Sequence, residues 1–528
     1  MGTLEMQQMG RVRASLLSFC QKNPQIFIYG AGNYAESCLS VLREIGIVPQ
    51  GFIVTENTLG GTFRGLPVYE AVTIREDLNE RCGIIAAFMG ANELMLRDFI
   101  GDAPAIFTLP DDVFCAFADT VQVIPFLSEF QKKTKPKPLK PLQQWKRILV
   151  IRLDVLGDLI MTTAFLRELR RDCPDAHITL VVHKSNYFLF KECPYLTELL
   201  LYDGPVMGGH ADAQLNHREE IEERVRSFNK EHWQHSEQYD VVFLPCILLQ
   251  GRNSLTTFLL AEASPSDCFV GRVNSFRADE RLLYPYLHEI FSVVSYETEE
   301  KHETQYMLDM LRGCGCNVAD EALELWIGRE DRRFAEQLIP REGENTPVIA
   351  VGLVGSKPTR NWPPGNYQMF IREFSTRFHH AVKFILFGGQ DAEEAAATVM
   401  SGIGELRDRV FDITGKTSLA QAAAVMERCA LYVGADTGLM HMAAALRKPV
   451  VEFSIALPDC EKSNGSHPCR MGPWGVPSII LRPRRAVGHC TGICRQGYAH
   501  CITQITVEEV VQAGQKLLPS GDAIWNCS

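Results

Sequence analysis

VGADTGLMHMAAAL, at residues 433–446, passes from an apolar run through a polar cluster into a series of small residues. The apolar run ends at Gly434, and helix-forming residues begin at about Leu439. This order predicts a strand, a loop and a helix of an open α/β sheet. Such sheets bind ligands at the carboxyl ends of their strands, against helix N-termini that favour phosphate. Asp436, Thr437 and His441 are therefore candidate binding residues, with an ordinary capped helix as the alternative.

A second segment of the same kind lies earlier in the chain. RILVIRL at 147–153 predicts a buried strand, DVLGD at 154–158 a glycine-containing turn, and LIMTTAFLREL at 159–169 a helix. A further apolar strand follows at 177–182. Strand, helix and strand form one βαβ unit, so both segments indicate parallel α/β sheets.

Together the two segments resemble glycosyltransferase family 9, the heptosyltransferases of bacterial lipopolysaccharide synthesis, over about residues 146–515. That family carries Gly-Asp after its first strand and Asp-Thr-Gly-x-x-His near its end, and both motifs stand here in that order. The resemblance implies the GT-B architecture, in which two Rossmann-like domains face each other. It also implies an inverting transfer of a heptose from ADP-heptose to a hydroxyl of a bacterial surface glycan, a lipopolysaccharide core or a protein.

The resemblance carries specific roles onto residues of both motifs. Asp158, in the Gly-Asp pair, corresponds to the proposed base that deprotonates the acceptor hydroxyl. A structural role is the alternative for Asp158, because an acid complements the dipole at a helix N-terminus. The donor site would be completed by Gly157, Asp436, Thr437, Gly438 and His441.

The stretch SKPTRNWP at 356–363 is the candidate diphosphate-binding loop. The family has a Lys or Arg two positions before a Trp-Pro pair, and Arg360 occupies that position. A guanidinium can bind two phosphate oxygens at once, so Arg360 is the predicted catalytic clamp, with an ordinary surface charge as the alternative. Lys357 is a second candidate, and the backbone at Ser356 would donate N–H groups to the same phosphates.

Near the nucleoside, the resemblance points to GGQDAE at 388–393, where Asp391 and Glu393 are candidates and Gln390 replaces the family's usual Pro. No Asp-x-Asp motif stands at a predicted strand end, so a magnesium-dependent mechanism is not indicated and the transfer is expected to need no cofactor. The alternatives are a transferase that uses another nucleotide sugar and a catalytically inactive protein that binds one.

The first 125 residues predict an added Rossmann-like α/β domain. A strand at 25–29 runs into GAGNYA at 30–35, where Gly30 and Gly32 would allow a tight turn close to a pyrophosphate. No acid closes the second strand where a ribose would be bound, which argues against an oxidoreductase or epimerase. A structural role and nucleotide binding both remain open for this loop.

The remaining domain boundaries follow from composition and strand pattern. A Lys/Pro-rich linker is predicted at 126–145, and its charges suit either a solvated spacer or contact with anionic lipid. The catalytic, acceptor-binding domain is expected at 146–335 and the donor domain at 336–528. Strands are predicted at 148–153, 177–182, 197–201, 240–245, 268–270, 347–353, 382–387, 410–412 and 430–433. The segment 204–239 is predicted to contain a helical excursion, with a disordered loop as the alternative.

The segment at 460–501 is rich in cysteine and histidine. Cys469, Cys490, Cys494 and Cys501 would suit a tetrahedral structural zinc or iron site. Related autotransporter heptosyltransferases carry a cysteine-rich iron finger, which this segment resembles in composition. Free thiols and regulatory disulfides are the other two readings.

The whole-chain numbers exclude some classes of function. With 528 residues and a net charge of −11, the protein has no overall electrostatic reason to bind nucleic acid. No apolar run approaches the roughly 20 residues that span a bilayer, and the N-terminus lacks a signal-peptide pattern. The odd number of cysteines, 17, argues against a disulfide framework. We therefore expect a cytoplasmic protein, peripheral at most on the inner face of the inner membrane.

Overall fold

The structure is a computed structural model, and it describes most of the chain. The described residues are 2–31, 33–55, 61–87, 93–108, 131, 136–204, 218–234, 236–247, 254–274, 284–339, 346–355, 357–378, 381–462, 464–488, 490–494 and 498–518. Gly32 and Ser356, two of the predicted site residues, lie outside these ranges.

The first of three six-stranded sheets lies in the N-terminal region. Its strands are β1 (Gln25–Tyr29), β2 (Gly51–Val54), β3 (Thr62–Phe63), β4 (Leu66–Glu70), β5 (Cys82–Ala86) and β6 (Ala105–Phe107). Their order is β3-β4-β2-β1-β5-β6, with only β3 antiparallel to its neighbour. The described helices are α1 (Gly2–Lys22), α2 (Asn33–Glu44), α3 (Ala71–Ile74) and α4 (Glu93–Ile100).

The second sheet has the order β12-β11-β10-β7-β8-β9. Its strands are β7 (Arg147–Ile151), β8 (His177–His183), β9 (Glu198–Tyr202), β10 (Val241–Ile247), β11 (Phe269–Asn274) and β12 (Val293–Glu297). The helices that follow in the described ranges are α5 (Leu156–Asp172), α6 (Tyr187–Phe190), α7 (Arg218–His232), α8 (Ser254–Ala263) and α9 (Tyr284–Ile290).

The third sheet is parallel throughout and has the order β15-β14-β13-β16-β17-β18. Its strands are β13 (Val348–Gly352), β14 (Lys383–Phe387), β15 (Val410–Asp412), β16 (Leu431–Ala435), β17 (Val450–Phe453) and β18 (Ser478–Leu481). The helices are α10 (Glu303–Gly313), α11 (Arg329–Leu338), α12 (Pro364–Arg377), α13 (Glu393–Gly402), α14 (Leu419–Glu427), α15 (Gly438–Ala445), α16 (Pro468–Met471) and α17 (Val507–Leu517).

The central strands of the third sheet are buried on both faces, as is usual where helices cover a parallel sheet. Every residue of β13 and β16 is buried. One face of this sheet packs into an aromatic core that includes Trp362, Tyr367 and Phe453. The continuous apolar runs of the sequence therefore form the interior strands.

The order in which the chain adds strands to the third sheet reverses beside β13. The chain passes from β13 to β14 and β15 on one side, then returns to place β16 on the other side. The carboxyl ends of β13 and β16 consequently diverge into loops on either side of a crevice, which is where open α/β sheets bind ligands. The loops that begin after Gly352 and Ala435 both start there.

Internal contacts divide the chain into two units. The first comprises Met1–Leu153 and Tyr202–Thr298, and the second comprises Asp154–Leu201 and Glu299–Ser528. Helix α5 and the whole third sheet belong to the second unit. Among the described residues, no helix is both long enough and apolar enough to cross a membrane.

Candidate donor site

The turn from β16 to α15 has the strand, loop and helix form that the sequence predicts. Thr437 is the N-cap residue of α15, but its side chain makes no capping hydrogen bond. Its hydroxyl oxygen lies 3.5 Å from the Tyr432 hydroxyl. Asp436 is buried, with 7% of its surface exposed. The polar residues of this turn are therefore not accounted for by helix capping.

Half-buried Arg360 and buried Asp436 form an ion pair between the two loops. Arg360 Nη2 lies 3.2 Å from Asp436 Oδ2, and Nη1 donates to the Asp436 carbonyl oxygen at 2.6 Å. Burial raises the pKa of the Asp436 carboxyl, and the positive charges of Arg360 and Lys357 act in the opposite direction. Arg360 is thus fixed in place by the donor motif, which a freely solvated surface charge would not be.

The loop after β13 approaches the donor motif closely. A Cβ atom added at Gly355 would lie 3.1 Å from Arg360 Cβ and 3.2 Å from Thr437 Cγ2. The Gly355 N–H donates to Asn361 Oδ1 at 2.8 Å, which stabilises the bend that carries Arg360. Lys357 is exposed on the same loop. The sequence motif therefore folds so that Arg360 faces inward and Lys357 faces solvent.

The two motifs that carry the family resemblance meet within the second unit. A Cβ atom added at Gly157 would lie only 2.6 Å from His441 Cδ2. In the reverse direction, a Cβ atom added at Gly438 would lie 2.6 Å from Leu156 Cδ2. Two glycines thus allow the first turns of α5 and α15 to pack directly against each other.

His441 is a buried neutral imidazole at this contact. Burial, with a contribution from the nearby Arg360 charge, lowers the pKa of His441 to about 4. Its Nε2 lies 3.8 Å from Asp436 Oδ1, and its Nδ1 has no hydrogen-bond partner among the described residues. The ring can therefore donate or accept one hydrogen bond without carrying charge near neutral pH.

Asp158 lies in the first turn of α5, next to Gly157. Its side chain is partly exposed, and its backbone carbonyl accepts a hydrogen bond from Thr162 Oγ1 at 2.8 Å. The contact of Gly157 with His441 consequently fixes the helical turn from which the Asp158 carboxylate projects.

Asp391 and Glu393 lie after β14, the strand beside β13. Both residues are exposed, and Glu393 lies against the turn at Gly415, whose φ is +66°. The structure therefore places these two acids at the carboxyl edge of the donor sheet but outside the buried group around Asp436.

Glu452 is a buried acid of this region that the motif analysis missed. It lies in β17, directly in register with Gly434, and only 1% of its surface is exposed. Its Oε2 has no hydrogen-bond partner among the described residues. The available signal was an acid inside the apolar run Val450–Phe453, where a charge is costly to bury.

A segment beyond the donor motif packs onto the start of α10. Arg470 Nη2 lies 3.1 Å from Glu303 Oε2, and both side chains are buried. His302 Nε2 donates to the Gly472 carbonyl oxygen at 3.0 Å, and its ring stacks on Trp474. These contacts hold Gly472 beside Glu452, since a Cβ atom added at Gly472 would lie 3.4 Å from Glu452 Oε2.

Three of the four predicted metal-binding cysteines come together. The ligand atoms of Cys490, Cys494, Cys501 and His500 all lie within 4.8 Å of one another. His500 Nδ1 lies 3.6 Å from two of the sulfurs and 3.4 Å from that of Cys501. Burial, reinforced by the neighbouring sulfurs, raises the pKa of the Cys501 thiol to about 12. Three thiols and one imidazole form a donor set that suits a tetrahedral metal ion.

The fourth predicted ligand, Cys469, is not part of this cluster. In the short helix α16, Arg470 is the buried residue that pairs with Glu303, and the neighbouring Cys469 is exposed. His500 stands in the cluster instead. The sequence shows that this segment is rich in histidine, but the cysteine spacing alone suggested a four-cysteine site.

The N-terminal glycine loop lies at the reversal point of the first sheet. Gly30 follows β1 with φ of +109°, a conformation that favours glycine, and an added Cβ would lie 3.0 Å from the Ala87 carbonyl oxygen. Strand β1 lies between β2 and β5. The conformation explains the need for Gly30, and nucleotide binding by this loop stays a prediction.

Comparison with known proteins defines the class. Residues 296–453 match the model of "Glycosyltransferase family 9 (heptosyltransferase)", a range that includes Arg360, the Asp436 motif and Glu452. Lipooligosaccharide heptosyltransferase 2 of Haemophilus ducreyi is 24% identical over 382 residues, which cover 70% of this chain and 99% of that protein. The chain is therefore a glycosyltransferase, and it is similar to family 9 over this range, as the two motifs predict.

Solved structures of glycosyltransferases confirm the fold. The family 9 glycosyl transferase of Veillonella parvula has a TM-score of 0.55 at 22% identity, covering 72% of this chain and 99% of that one. The ADP-heptose lps heptosyltransferase II of Escherichia coli has a TM-score of 0.51 at 18% identity, covering 70% and 98% respectively. The chain has the GT-B fold with an added N-terminal α/β sheet, so the predicted fold class is confirmed.

Proposed function

We propose that this protein transfers a heptose from ADP-heptose to an acceptor hydroxyl, with inversion at the anomeric carbon. The acceptor would be a bacterial surface glycan, a lipopolysaccharide core or a protein. The observation that carries the proposal is the packing of Gly157 against His441, which joins the turn of the candidate base to the donor motif. The names of the relatives, which include ADP-heptose and lipooligosaccharide heptosyltransferases, support this choice of sugar.

In the proposed reaction, the Asp158 carboxylate accepts the proton of the acceptor hydroxyl. The acceptor oxygen then forms a bond to the anomeric carbon as the bond from that carbon to the diphosphate oxygen breaks. The bonding electrons leave with ADP. A base within hydrogen-bond reach of the hydroxyl typically contributes about 10²–10⁴-fold to such a rate.

Arg360 is the proposed clamp for the departing diphosphate. Its ion pair with Asp436 holds the guanidinium in one orientation, while its Nε has no partner among the described residues. A charge fixed in advance stabilises the transition state without costly reorganisation. Lys357, exposed on the same loop, would add positive charge, and Thr437 and Gly438 would bind at the N-terminus of α15.

The Cys490, Cys494, His500 and Cys501 cluster is the proposed site of a structural zinc or iron ion. A metal ion there would stabilise the fold of the segment that carries these residues, because structural sites contribute folding energy directly. Backbone contacts join this segment to the chain after β17, since the Cys494 N–H donates to the Ile455 carbonyl at 3.3 Å. The transfer itself uses no group from this cluster.

The proposed function also implies a location in the cell. An acceptor of the lipopolysaccharide type would bring the protein to the cytoplasmic face of the inner membrane as a peripheral protein. Co-sedimentation with vesicles that contain the lipid acceptor would test this, and recovery in the supernatant together with transfer to a soluble protein would instead favour a protein acceptor.

The experiment that tests the function is a donor panel. ADP-heptose, ADP-glucose, GDP-mannose and UDP-glucose are titrated into the purified protein, and slow hydrolysis of each donor is followed. We expect ADP-heptose to bind most tightly and to be hydrolysed. Tighter binding of a UDP- or GDP-sugar would contradict the heptose assignment, and binding of none would favour an inactive protein.

A further inference from the structure

Glu452 shares one face of the donor sheet with the Asp436 motif. Side chains alternate along a strand, and Val433, Val451 and Phe453 pack into the aromatic core on one face. Glu452 and its register partner Gly434 therefore lie on the other face. The Asp436 N–H donates to the carbonyl of Phe453 at 3.3 Å. Glu452, in β17, and Asp436, directly after β16, thus lie near the carboxyl ends of two adjacent strands.

The cations around these acids are already engaged. Arg360 pairs with the carboxylate and the carbonyl of Asp436. Arg482, after β18, donates to the carbonyls of Ala456 and Leu457. Glu452 forms no ion pair among the described residues, and its Oε2 also lacks a hydrogen bond there. Arg360 and Arg482 therefore lie near the two acids, but neither forms an ion pair with Glu452.

Among the described residues, the other titratable and charged groups that act on Glu452 are the buried phenol of Tyr432, whose pKa burial raises, and the Arg482 guanidinium. Gly472 lies against Oε2, and His441 of α15 is neutral, because burial lowers its pKa to about 4. Lys357 is exposed. Burial raises the pKa of Glu452 well above its usual value; the negative charge of Asp436 acts in the same direction, and Arg360 and Arg482 oppose it.

We propose that Glu452 is a positioning residue of the donor site that works as the neutral acid. In that form it leaves Asp436 as the single carboxylate opposite Arg360, and its ionisation disfavours a nucleoside diphosphate. The proposal rests on the proposed function, since it takes the diphosphate site to be the one at Arg360. A neutral Glu452 adds no negative charge, so an acid inside an apolar strand is compatible with an anionic ligand.

Ionisation of Glu452 should weaken donor binding. As pH rises through the elevated pKa of Glu452, a second negative charge develops near the diphosphate and donor affinity falls. By linkage, binding of the diphosphate raises the pKa of Glu452 further, so binding takes up protons in that range of pH. A purely structural role for Glu452 would not couple binding to a proton.

The test measures the affinity of the protein for ADP by isothermal titration calorimetry between about pH 6 and about pH 9. This whole range lies above the unperturbed pKa of a Glu side chain. Each titration is repeated in two buffers of different ionisation enthalpy, which measures proton uptake. Glu452→Gln keeps the shape of the neutral acid without its titration, and Glu405→Gln changes an exposed acid as the matched control. The ionisation of ADP itself is common to all variants and cancels in the comparison.

We expect the affinity of the unmodified protein and of Glu405→Gln for ADP to fall by roughly tenfold more than that of Glu452→Gln across this range. Proton uptake should also be smaller in Glu452→Gln. Equal slopes in all three proteins would overturn the role of Glu452 and leave the donor site intact. Failure of ADP to bind at any pH would overturn the proposed function and the inference together.

A second measurement needs no variant, in case Glu452→Gln does not fold. Labelling the glutamate carboxyl carbons with ¹³C separates glutamate from aspartate in infrared difference spectra. With ADP bound at the upper end of the pH range, the difference between labelled and unlabelled protein should contain a protonated glutamic acid band. Its absence, with ADP bound, would overturn the proposal.

Discussion

Gly157 packs against His441 although they are 284 positions apart in the sequence, and a Cβ atom at position 157 would come within 2.6 Å of His441 Cδ2. This contact joins the Gly-Asp turn of α5 to the Asp-Thr-Gly-x-x-His turn of α15. It gives a physical reason for glycine in the first motif, where the histidine ring occupies the space of a side chain.

Gly157→Ala should therefore damage donor binding and stability. The added methyl group must displace the buried His441 ring, and overpacking of this kind typically costs about 1–3 kcal/mol. We expect a lower unfolding midpoint and weaker ADP binding, measured by thermal denaturation and calorimetry. Gly313→Ala is the matched control, because this helical glycine has nothing within 4 Å of an added Cβ and should lose neither. Full ADP affinity in Gly157→Ala would contradict the account.

Arg360→Lys should weaken binding of ADP while preserving the charge. The guanidinium makes two contacts with Asp436 and retains a further donor, whereas an ammonium group offers no fork. Hydrogen bonds to charged groups are worth about 1.5–3 kcal/mol, so a loss of affinity of at least roughly tenfold is expected. Arg407→Lys, at an exposed position, is the control for the exchange itself. Unchanged affinity in Arg360→Lys would exclude Arg360 as the clamp.

The cysteine cluster should bind about one metal ion per chain. Elemental analysis of the purified protein is expected to find zinc or iron, and Cys494→Ser should abolish it because Cys494 is a buried member of the cluster. Cys469→Ser is the matched control: this cysteine is exposed and outside the cluster, so the metal content should stay the same. Equal metal content in both variants would show that the ion binds elsewhere.

Acid should destabilise the protein through its buried histidines. Burial lowers the pKa of His302 to about 4, and that of His441 likewise, while an unfolded histidine titrates near about 6.5. A histidine with a lowered pKa contributes stability above the unfolded pKa, and this contribution is lost as pH falls from about 6.5 to about 4.

His302→Gln removes one of these groups and keeps a polar side chain at the cap of α10. Its free energy of unfolding should be lower than that of the unmodified protein at neutral pH, and the gap should narrow as the pH falls toward about 4. Urea denaturation at a series of pH values measures this. A gap that does not change with pH would mean that His302 is not held neutral by the fold.

In the second and third sheets the sequence predicted nine strands, among them the edge strands β9 and β15, and missed the edge strands β12 and β18 and the interior strand β17. Strands β13, β14 and β16 read as continuous apolar runs because parallel strands inside a covered sheet are buried on both faces. Strands β12 and β18 lie at sheet edges and are mostly half-buried, so their residues give no such pattern. The helix predicted inside 204–239 corresponds to α7, at Arg218–His232.

The residues of the candidate site could be predicted from the sequence where they belong to a recognisable motif. Asp436 and Arg360 lie in separate motifs, and their ion pair follows only from the return of the chain to the far side of β13. Glu452 belongs to no motif, and its position beside Gly434 depends on strand register, which composition does not encode. His500 was passed over because spacing between cysteines cannot show which other side chain the fold brings among them.

The measurement that tests the central claim most directly is the hydrolysis of ADP-heptose by Asp158→Asn, with Asp175→Asn, an exposed aspartate of the same unit, as the control. We expect Asp158→Asn to bind ADP-heptose normally and to hydrolyse it about 10²–10⁴ times more slowly, as loss of a general base predicts. Hydrolysis in Asp158→Asn at the rate of Asp175→Asn and of the unmodified protein would contradict the assignment of Asp158 as the base.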